Sequence, residues 1–149
     1  MIEDIQFREA LPSDGRSIVE IFRTTRRHDL PYLPDMYSPE GMSVFRDSLF
    51  ANDQIEVALL EGRIVAFCAR RPGWVDHLYV LPGAQGRGIG SALLARAMDA
   101  NAKLQLWLFQ KNVRAKRFYE KHGFRMAEMT DGLGNMEKEP DALYVWERH

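Results

Sequence analysis

A chain of 149 residues is long enough for one domain with a buried core, and its net charge of −1 gives no reason to expect nucleic acid or an anionic membrane as a partner. A hydrophobic fraction of 46% and a charged fraction of 28% are those of an ordinary globular protein. The single cysteine, Cys68, excludes an internal disulfide and favours a reducing compartment.

The acidic start, residues 1–4, lacks the charged-then-apolar layout of a secretion signal. No apolar run approaches the length that crosses a membrane. No linker or repeat divides the chain. We therefore expect a cytoplasmic protein with a single domain over residues 1–149.

The first third of the chain predicts a strand, two helices and an irregular loop. Residues 5–8 alternate like a short strand, and Ser13 can cap the helix that follows. Three prolines exclude regular helix over residues 28–39, where the mixture of aromatic and acidic residues fits either a binding surface or a packed loop. A second helix is predicted over residues 39–50.

The remainder predicts five strands and two more helices. The turn Glu61-Gly62-Arg63 joins two of the strands as a hairpin, and Asn112 and Gly123 begin and end the last helix. The predicted elements are strands 55–60, 64–70 and 74–81, a helix after residue 88, strand 104–109, helix 113–122 and strands 124–129 and 143–147. The order β-α-α-β-β-β-α-β-α-β-β predicts an α/β fold, a mixed sheet with helices on both faces.

The hexapeptide Gln-Gly-Arg-Gly-Ile-Gly, residues 85–90, is the most informative segment. Gly86, Gly88 and Gly90 leave backbone amides uncovered, and with the positive end of the helix dipole these amides form a socket for phosphate oxygens. Arg87 adds a positive charge beside it. The alternative is a glycine-rich turn that binds nothing.

Spacing separates three kinds of phosphate loop. A Walker loop needs a lysine before its Ser or Thr, and none precedes Ser91. A dinucleotide fingerprint needs G-x-G-x-x-G, whereas the glycines here run G-x-G-x-G. The pattern resembles the Gln/Arg-x-x-Gly-x-Gly/Ala signature of the GNAT superfamily of acyl-CoA-dependent N-acyltransferases, whose loop binds the pyrophosphate of coenzyme A.

A second segment, residues 109–124, resembles the part of the same family in which an Asn opens a helix and an aromatic-Tyr pair precedes Gly-Phe. Asn112 and Tyr119 are two helical turns apart and share a face about 10 Å long, with Ala115 and Phe118 between them. Alone, Asn112 is a plain helix cap and Tyr119 a core aromatic. Together, the two segments favour the functional interpretation, and the resemblance covers nearly the whole chain.

The resemblance implies an N-acetyltransferase with acetyl-CoA as co-substrate and no metal. It further implies that two central strands splay, that the pantetheine arm pairs with the backbone of Leu78 and Val80, and that Tyr119 is the acid for the departing sulfur. The Leu78 N–H is the candidate donor to the thioester oxygen. The expected cofactor-binding residues are Leu78, Val80, Gln85, Gly86, Arg87, Gly88, Ile89, Gly90, Ser91, Asn112, Ala115, Phe118 and Tyr119.

The general base is the weak point of the resemblance, because Trp74 stands where many family members carry a Glu. Asp76 is predicted on the same pleat face as Trp74 and Leu78, and His77 on the other face unless a bulge intervenes. A His needs no tuning to act as a base near neutral pH, whereas an Asp must be desolvated. Asp76, directly or through water, ranks slightly above His77.

The acceptor is expected to enter opposite coenzyme A, under the loop 28–39 and the tail near Glu137. The predicted substrate-binding residues are Tyr32, Asp35, Tyr37 and Trp74. Aromatic faces with carboxylates suit a small cationic amine. The basic residues Arg23, Arg26 and Arg27 are interpreted as the solvated face of a helix.

The expected partners are therefore a small-molecule amine and no nucleic acid or membrane, and the chain is expected to be a monomer or homodimer. A different class stays open, a catalytically silent acyl-CoA-binding sensor or interaction module with the same fold.

Overall fold

The structure is a computed structural model that describes residues 4–35 and 37–149. Residues 1–3, on which the argument against a secretion signal partly rests, lie outside the described residues. The helices and strands are β1 (Ile5–Glu9), α1 (Gly15–Asp29), α2 (Pro39–Asn52), β2 (Gln54–Leu60), β3 (Arg63–Arg71), β4 (Trp74–Val80), α3 (Ile89–Asp99), β5 (Lys103–Phe109), α4 (Val113–Lys121), β6 (Arg125–Met129) and β7 (Asp141–Glu147). The predicted order is confirmed.

The seven described strands form one mixed sheet in the order β1-β2-β3-β4-β5-β7-β6. One face packs on α1 and α2 and the other on α3 and α4, so each face has its own apolar cluster. The interior strand β3 alternates between the two clusters, with Phe67 in one and Cys68 in the other. This two-sided burial confirms the predicted mixed sheet with helices on both faces. Within the described residues, no helix is both long and apolar enough to cross a membrane.

Two local predictions have different outcomes at helix starts. Asn112 caps α4 as predicted, with its Oδ1 accepting from the Ala115 N–H at 3.2 Å. Ser13 does not cap α1, because Pro12 begins a short 3-10 turn and Asp14 becomes the capping residue. The carboxylate of Asp14 instead accepts from the Leu11 N–H at 2.7 Å.

The two parallel strands β4 and β5 meet at one point. Trp74 lies opposite Gln105, whose N–H donates to the Gly73 carbonyl at 2.9 Å, and no further residue of β4 pairs with β5 in the described chain. The splay that the resemblance implied is therefore present, and it leaves one edge of β4 open.

Backbone alternation decides which groups face that open edge. The Leu81 N–H donates to the Val65 carbonyl of β3 at 2.8 Å. Because successive residues of a strand turn their amide and carbonyl to opposite edges, Leu78 and Val80 turn theirs away from β3.

A β-bulge interrupts β4 near its start. Ala69 of β3 lies opposite His77 while Arg70 lies opposite Val75, so Asp76 is an extra residue on β4. Val75 and Leu78 consequently pack on the same side of the sheet although they are three residues apart.

Candidate active site

A cavity of about 440 Å³ runs along the open edge of β4, and we call it the donor cavity. Twelve of the thirteen predicted cofactor-binding residues line it, and the exception is Arg87. Lys121 also lines it. So does Arg114, which with Lys121 belongs to a basic cluster of the predicted helix 113–122 that could meet phosphates. The lining residues that the sequence did not indicate are Thr25, Asp29, Leu30, Tyr79 and Ala84.

The glycine loop leaves open space at one end of the donor cavity. Gly86 and Gly88 have φ angles of +80° and +79°, and a Cβ built at either position meets nothing within 4 Å. Gly88 is also the first, capping residue of α3 and offers no side-chain acceptor to the first amides of that helix. Bare amides at a helix N-terminus beside open space fit a pyrophosphate group.

The side chain of Gln85 is fixed by two hydrogen bonds within the protein. Its Nε2 donates to the Val80 carbonyl at 3.0 Å and to the Asp29 carboxylate at 2.9 Å, which ties the loop to β4 and to the end of α1. The Val80 carbonyl is thus already engaged. The N–H of Val80 and both backbone groups of Leu78 are what the open edge offers to an extended ligand.

Tyr119 reaches the donor cavity from α4 and is 8% exposed. Its ring packs edge-on against Phe118, with centroids 5.1 Å apart, and against Phe124 at 5.3 Å. Burial raises the pKa of Tyr119 above its usual value. The phenol is therefore neutral near pH 7 and carries its proton.

Asp76 does not share a face with Leu78, and that prediction was wrong because of the β-bulge. Asp76 and His77 line a separate cavity, together with residues of α2. There its carboxylate accepts from Arg71 Nε and a terminal guanidinium nitrogen at 2.6 and 2.7 Å. Although burial raises it, the Arg71 guanidinium holds the pKa of Asp76 below its usual value. Such a carboxylate is a poor proton acceptor.

His77 lies among aromatic rings of α1, α2 and β4. Its ring centroid is 5.7 Å from that of Phe22, 5.3 Å from that of Phe45 and 6.0 Å from that of Tyr79. Burial lowers the pKa of His77 to about 4. Neither predicted base lines the donor cavity.

Of the four predicted substrate-binding residues, Asp35 and Tyr37 line one cavity, whereas Tyr32 and Trp74 do not line it. Asp35 is 57% exposed and lies 3.7 and 3.6 Å from the guanidinium groups of Arg23 and Arg27. Tyr37 packs edge-on against Phe22 at 5.4 Å. The ammonium nitrogen of Lys111 lies 5.4 Å from the ring centroid of Tyr32. The guanidinium carbon of Arg71 lies 5.7 Å from the ring centroid of Trp74.

The prediction that Arg26 belongs to a solvated helix face was wrong. Its side chain is only 12% exposed, and its guanidinium lies 4.9 Å from the Phe22 ring centroid and 5.9 Å from that of Phe109. It donates to Glu137 of the tail at 2.8 Å. The spacing of four residues from Phe22 was the signal in the sequence, since it places both on one helix face.

A further cavity, of about 500 Å³, lies over β5, and we call it the acceptor-side cavity. Trp107 is 47% exposed there. Its lining residues are Trp107, Leu108, Phe109, Thr130, Gly134, Asn135, Glu137 and Asp141. The tail thus supplies carboxylates to this side of the sheet.

Comparison with known proteins decides the family. The model of the acetyltransferase (GNAT) domain matches residues 51–126. The peptidyl-lysine N-acetyltransferase YiaC of Escherichia coli strain K12 is 30% identical over 122 residues, which cover 81% of this chain and 84% of YiaC. The chain belongs to the GNAT acetyltransferase family.

Solved structures of GNAT proteins share the fold. Apo-form YjaB from Escherichia coli has a TM-score of 0.77 at 22% identity, covering 98% of both chains. PaiA N-acetyltransferase from Thermoplasma acidophilum, in complex with coenzyme A, has a TM-score of 0.71 at 15% identity, covering 97% of this chain and 99% of PaiA. As a GNAT protein, the chain is an acetyl-CoA-dependent N-acetyltransferase.

Proposed function

We propose that this GNAT protein transfers an acetyl group from acetyl-CoA to a primary amine by direct attack in a ternary complex. One observation carries the proposal: the glycine loop, the open edge of β4 and Tyr119 border a single cavity. In the bound state acetyl-CoA supplies the thioester that the amine attacks.

Each part of the donor cavity has a role in this proposal. The amides of Gly86 and Gly88 and the start of α3 hold the pyrophosphate. The N–H of Leu78 donates to the thioester oxygen as negative charge develops on it, and losing such a donor commonly costs roughly 100- to 1000-fold in turnover. Tyr119 donates its proton to the departing sulfur. Lys121 and Arg114 add positive charge on the α4 side.

For the proton of the amine, we propose release to solvent through the acceptor-side cavity. Two observations support this route: the carboxylate of Asp76 is paired with Arg71, and the ring of His77 is surrounded by aromatic rings. The kcat/KM would then rise with pH up to the pKa of the acceptor amine itself, whichever amine is used.

Asp76→Asn tests this route. We expect kcat to stay within about threefold of wild type and stability to fall by about 1 kcal/mol, because the exposed side of the Arg71 ion pair is screened by water. Burial and the neighbouring Asp76 raise the pKa of Asp53 to about 7, so neutralising Asp76 also relieves that repulsion. If a folded variant instead turned over about 100-fold more slowly, the usual effect of losing a general base, Asp76 would be restored to that role.

For the acceptor, we propose a primary amine of a small molecule or an exposed amino group, cationic in preference to acidic. Support comes from the exposed ring of Trp107 and from the carboxylate of Asp141, whose partners Thr130 and Asn135 are neutral, in the acceptor-side cavity. The relative YiaC is a peptidyl-lysine N-acetyltransferase, and a lysine also joins an aliphatic stem to an ammonium group. A panel of amines, amino acids, polyamines, aminoglycosides and peptides, assayed for released CoA thiol, tests the class. Selective turnover of an anionic acceptor would contradict it.

Trp107→Ala tests the location of the acceptor. The KM of the acceptor is expected to rise about tenfold, because an apolar stem loses its contact with the indole, while the KM of acetyl-CoA is unchanged. Val44→Ala removes an apolar side chain from α2 that is 69% exposed, against 47% for Trp107, and is the control. An unchanged acceptor KM in Trp107→Ala would place the acceptor elsewhere.

A silent acyl-CoA-binding module is the alternative. Calorimetric binding of acetyl-CoA without turnover of any amine in the panel would favour it. The presence of Tyr119 in the donor cavity supports the enzyme, because a module that only binds could lose the acid.

A further inference from the structure

Thr25 of α1 carries a buried hydroxyl with no hydrogen-bond partner among the described residues. The residue is 4% exposed. A helical threonine ordinarily satisfies its hydroxyl by donating to the carbonyl one turn earlier, and this one does not. Burying a hydroxyl without a partner is unfavourable, so the position calls for an explanation.

Thr25 lines the donor cavity, together with Leu30 and Tyr79. Its place along β4 follows from its neighbours on α1. Three residues earlier, the Phe22 ring lies 5.5 Å from that of Tyr79. Four residues later, Asp29 meets the Val80 carbonyl through the Gln85 amide. Thr25 therefore lies beside the stretch of β4 whose backbone faces the open edge.

The charge near Thr25 indicates which kind of ligand group can bind beside it. Asp29 stands one turn further along α1, between Thr25 and the glycine loop, and its carboxylate would repel a phosphate next to Thr25. Leu30 and Tyr79 present apolar surface on the other sides. A neutral group that can hydrogen-bond fits this place, and the pantetheine arm of coenzyme A carries neutral amides.

We propose that the Thr25 hydroxyl hydrogen-bonds an amide of the pantetheine arm, so that α1 grips the donor from the side opposite α4. This assignment rests on the proposed donor cavity. It explains why a hydroxyl is buried without a partner in the free protein: its partner arrives with acetyl-CoA. It also gives α1 a direct part in donor binding, in addition to covering the sheet.

Thr25→Val tests the assignment, because it removes the hydroxyl and keeps the shape. In calorimetry, the Kd for coenzyme A is expected to rise about fivefold to tenfold, the usual effect of losing one hydrogen bond. The Kd for adenosine 3′,5′-bisphosphate, which lacks the pantetheine arm, stays the same. The Tm of the ligand-free variant is equal to or above that of wild type, because no unpartnered hydroxyl is buried.

Two further variants complete the experiment. Thr24→Val makes the same substitution at an exposed position of the same helix and should change neither Kd. Thr25→Ser keeps a hydroxyl and should retain most of the affinity for coenzyme A. Unchanged coenzyme A affinity in Thr25→Val, or equal weakening of both ligands, would overturn the assignment. A wild-type protein that binds no coenzyme A would instead overturn the donor cavity itself.

Discussion

Replacing Gly88 by Asp is expected to raise the Kd for coenzyme A by about 100-fold or more while the protein stays folded. The space beside Gly88 is open, so the new side chain enters the region assigned to the pyrophosphate. Its carboxylate would then face a like-charged group, a juxtaposition that costs several kcal/mol. Calorimetric titration with coenzyme A measures the loss.

The backbone effect of this substitution has a matched control in the β2–β3 hairpin. Gly62 has the same φ of +79° as Gly88 and equally open surroundings. Gly62→Asp should therefore lose the same stability, about 1 kcal/mol for a left-handed non-glycine residue, and none of the affinity. Gly88→Asn places a side chain of similar size but without charge in the same space, so it separates the steric effect on coenzyme A binding from the electrostatic effect. Ordinary coenzyme A affinity in a folded Gly88→Asp protein would show that the phosphates bind elsewhere.

Tyr119→Phe is expected to slow turnover about 100-fold and to change the Kd for acetyl-CoA less than about twofold. The ring keeps its packing against Phe118 and Phe124, whereas the proton donor is lost. A general acid acts as charge develops on the leaving sulfur, so its loss appears in kcat. Steady-state kinetics beside calorimetry separates the two effects.

A second buried tyrosine provides the control for that result. Tyr144 of β7 is 1% exposed and belongs to the same apolar cluster, but it does not line the donor cavity. Tyr144→Phe should leave kcat unchanged. An unchanged kcat in Tyr119→Phe would remove Tyr119 from the mechanism.

The order of elements and the glycine loop were predictable from the sequence because both depend on local chemistry. Gly86 and Gly88 adopt positive φ angles that side chains disfavour, and Asn112 caps its helix with its own side chain. Helical spacing alone placed Ala115 and Phe118 between Asn112 and Tyr119, and all four line the donor cavity.

Only the tertiary structure decided the surroundings of the predicted bases and of the predicted substrate-binding residues. The bulge at Asp76 depends on the register between β3 and β4, which no pattern within β4 contains. Arg26 turns inward because Glu137, 111 residues away, pairs with it. The sequence by itself determined the order of the helices and strands and most of the residues that line the donor cavity. Which side chains meet across the sheet depended on long-range packing, since burial, pairing and pKa belong to neighbours that the chain brings together only on folding.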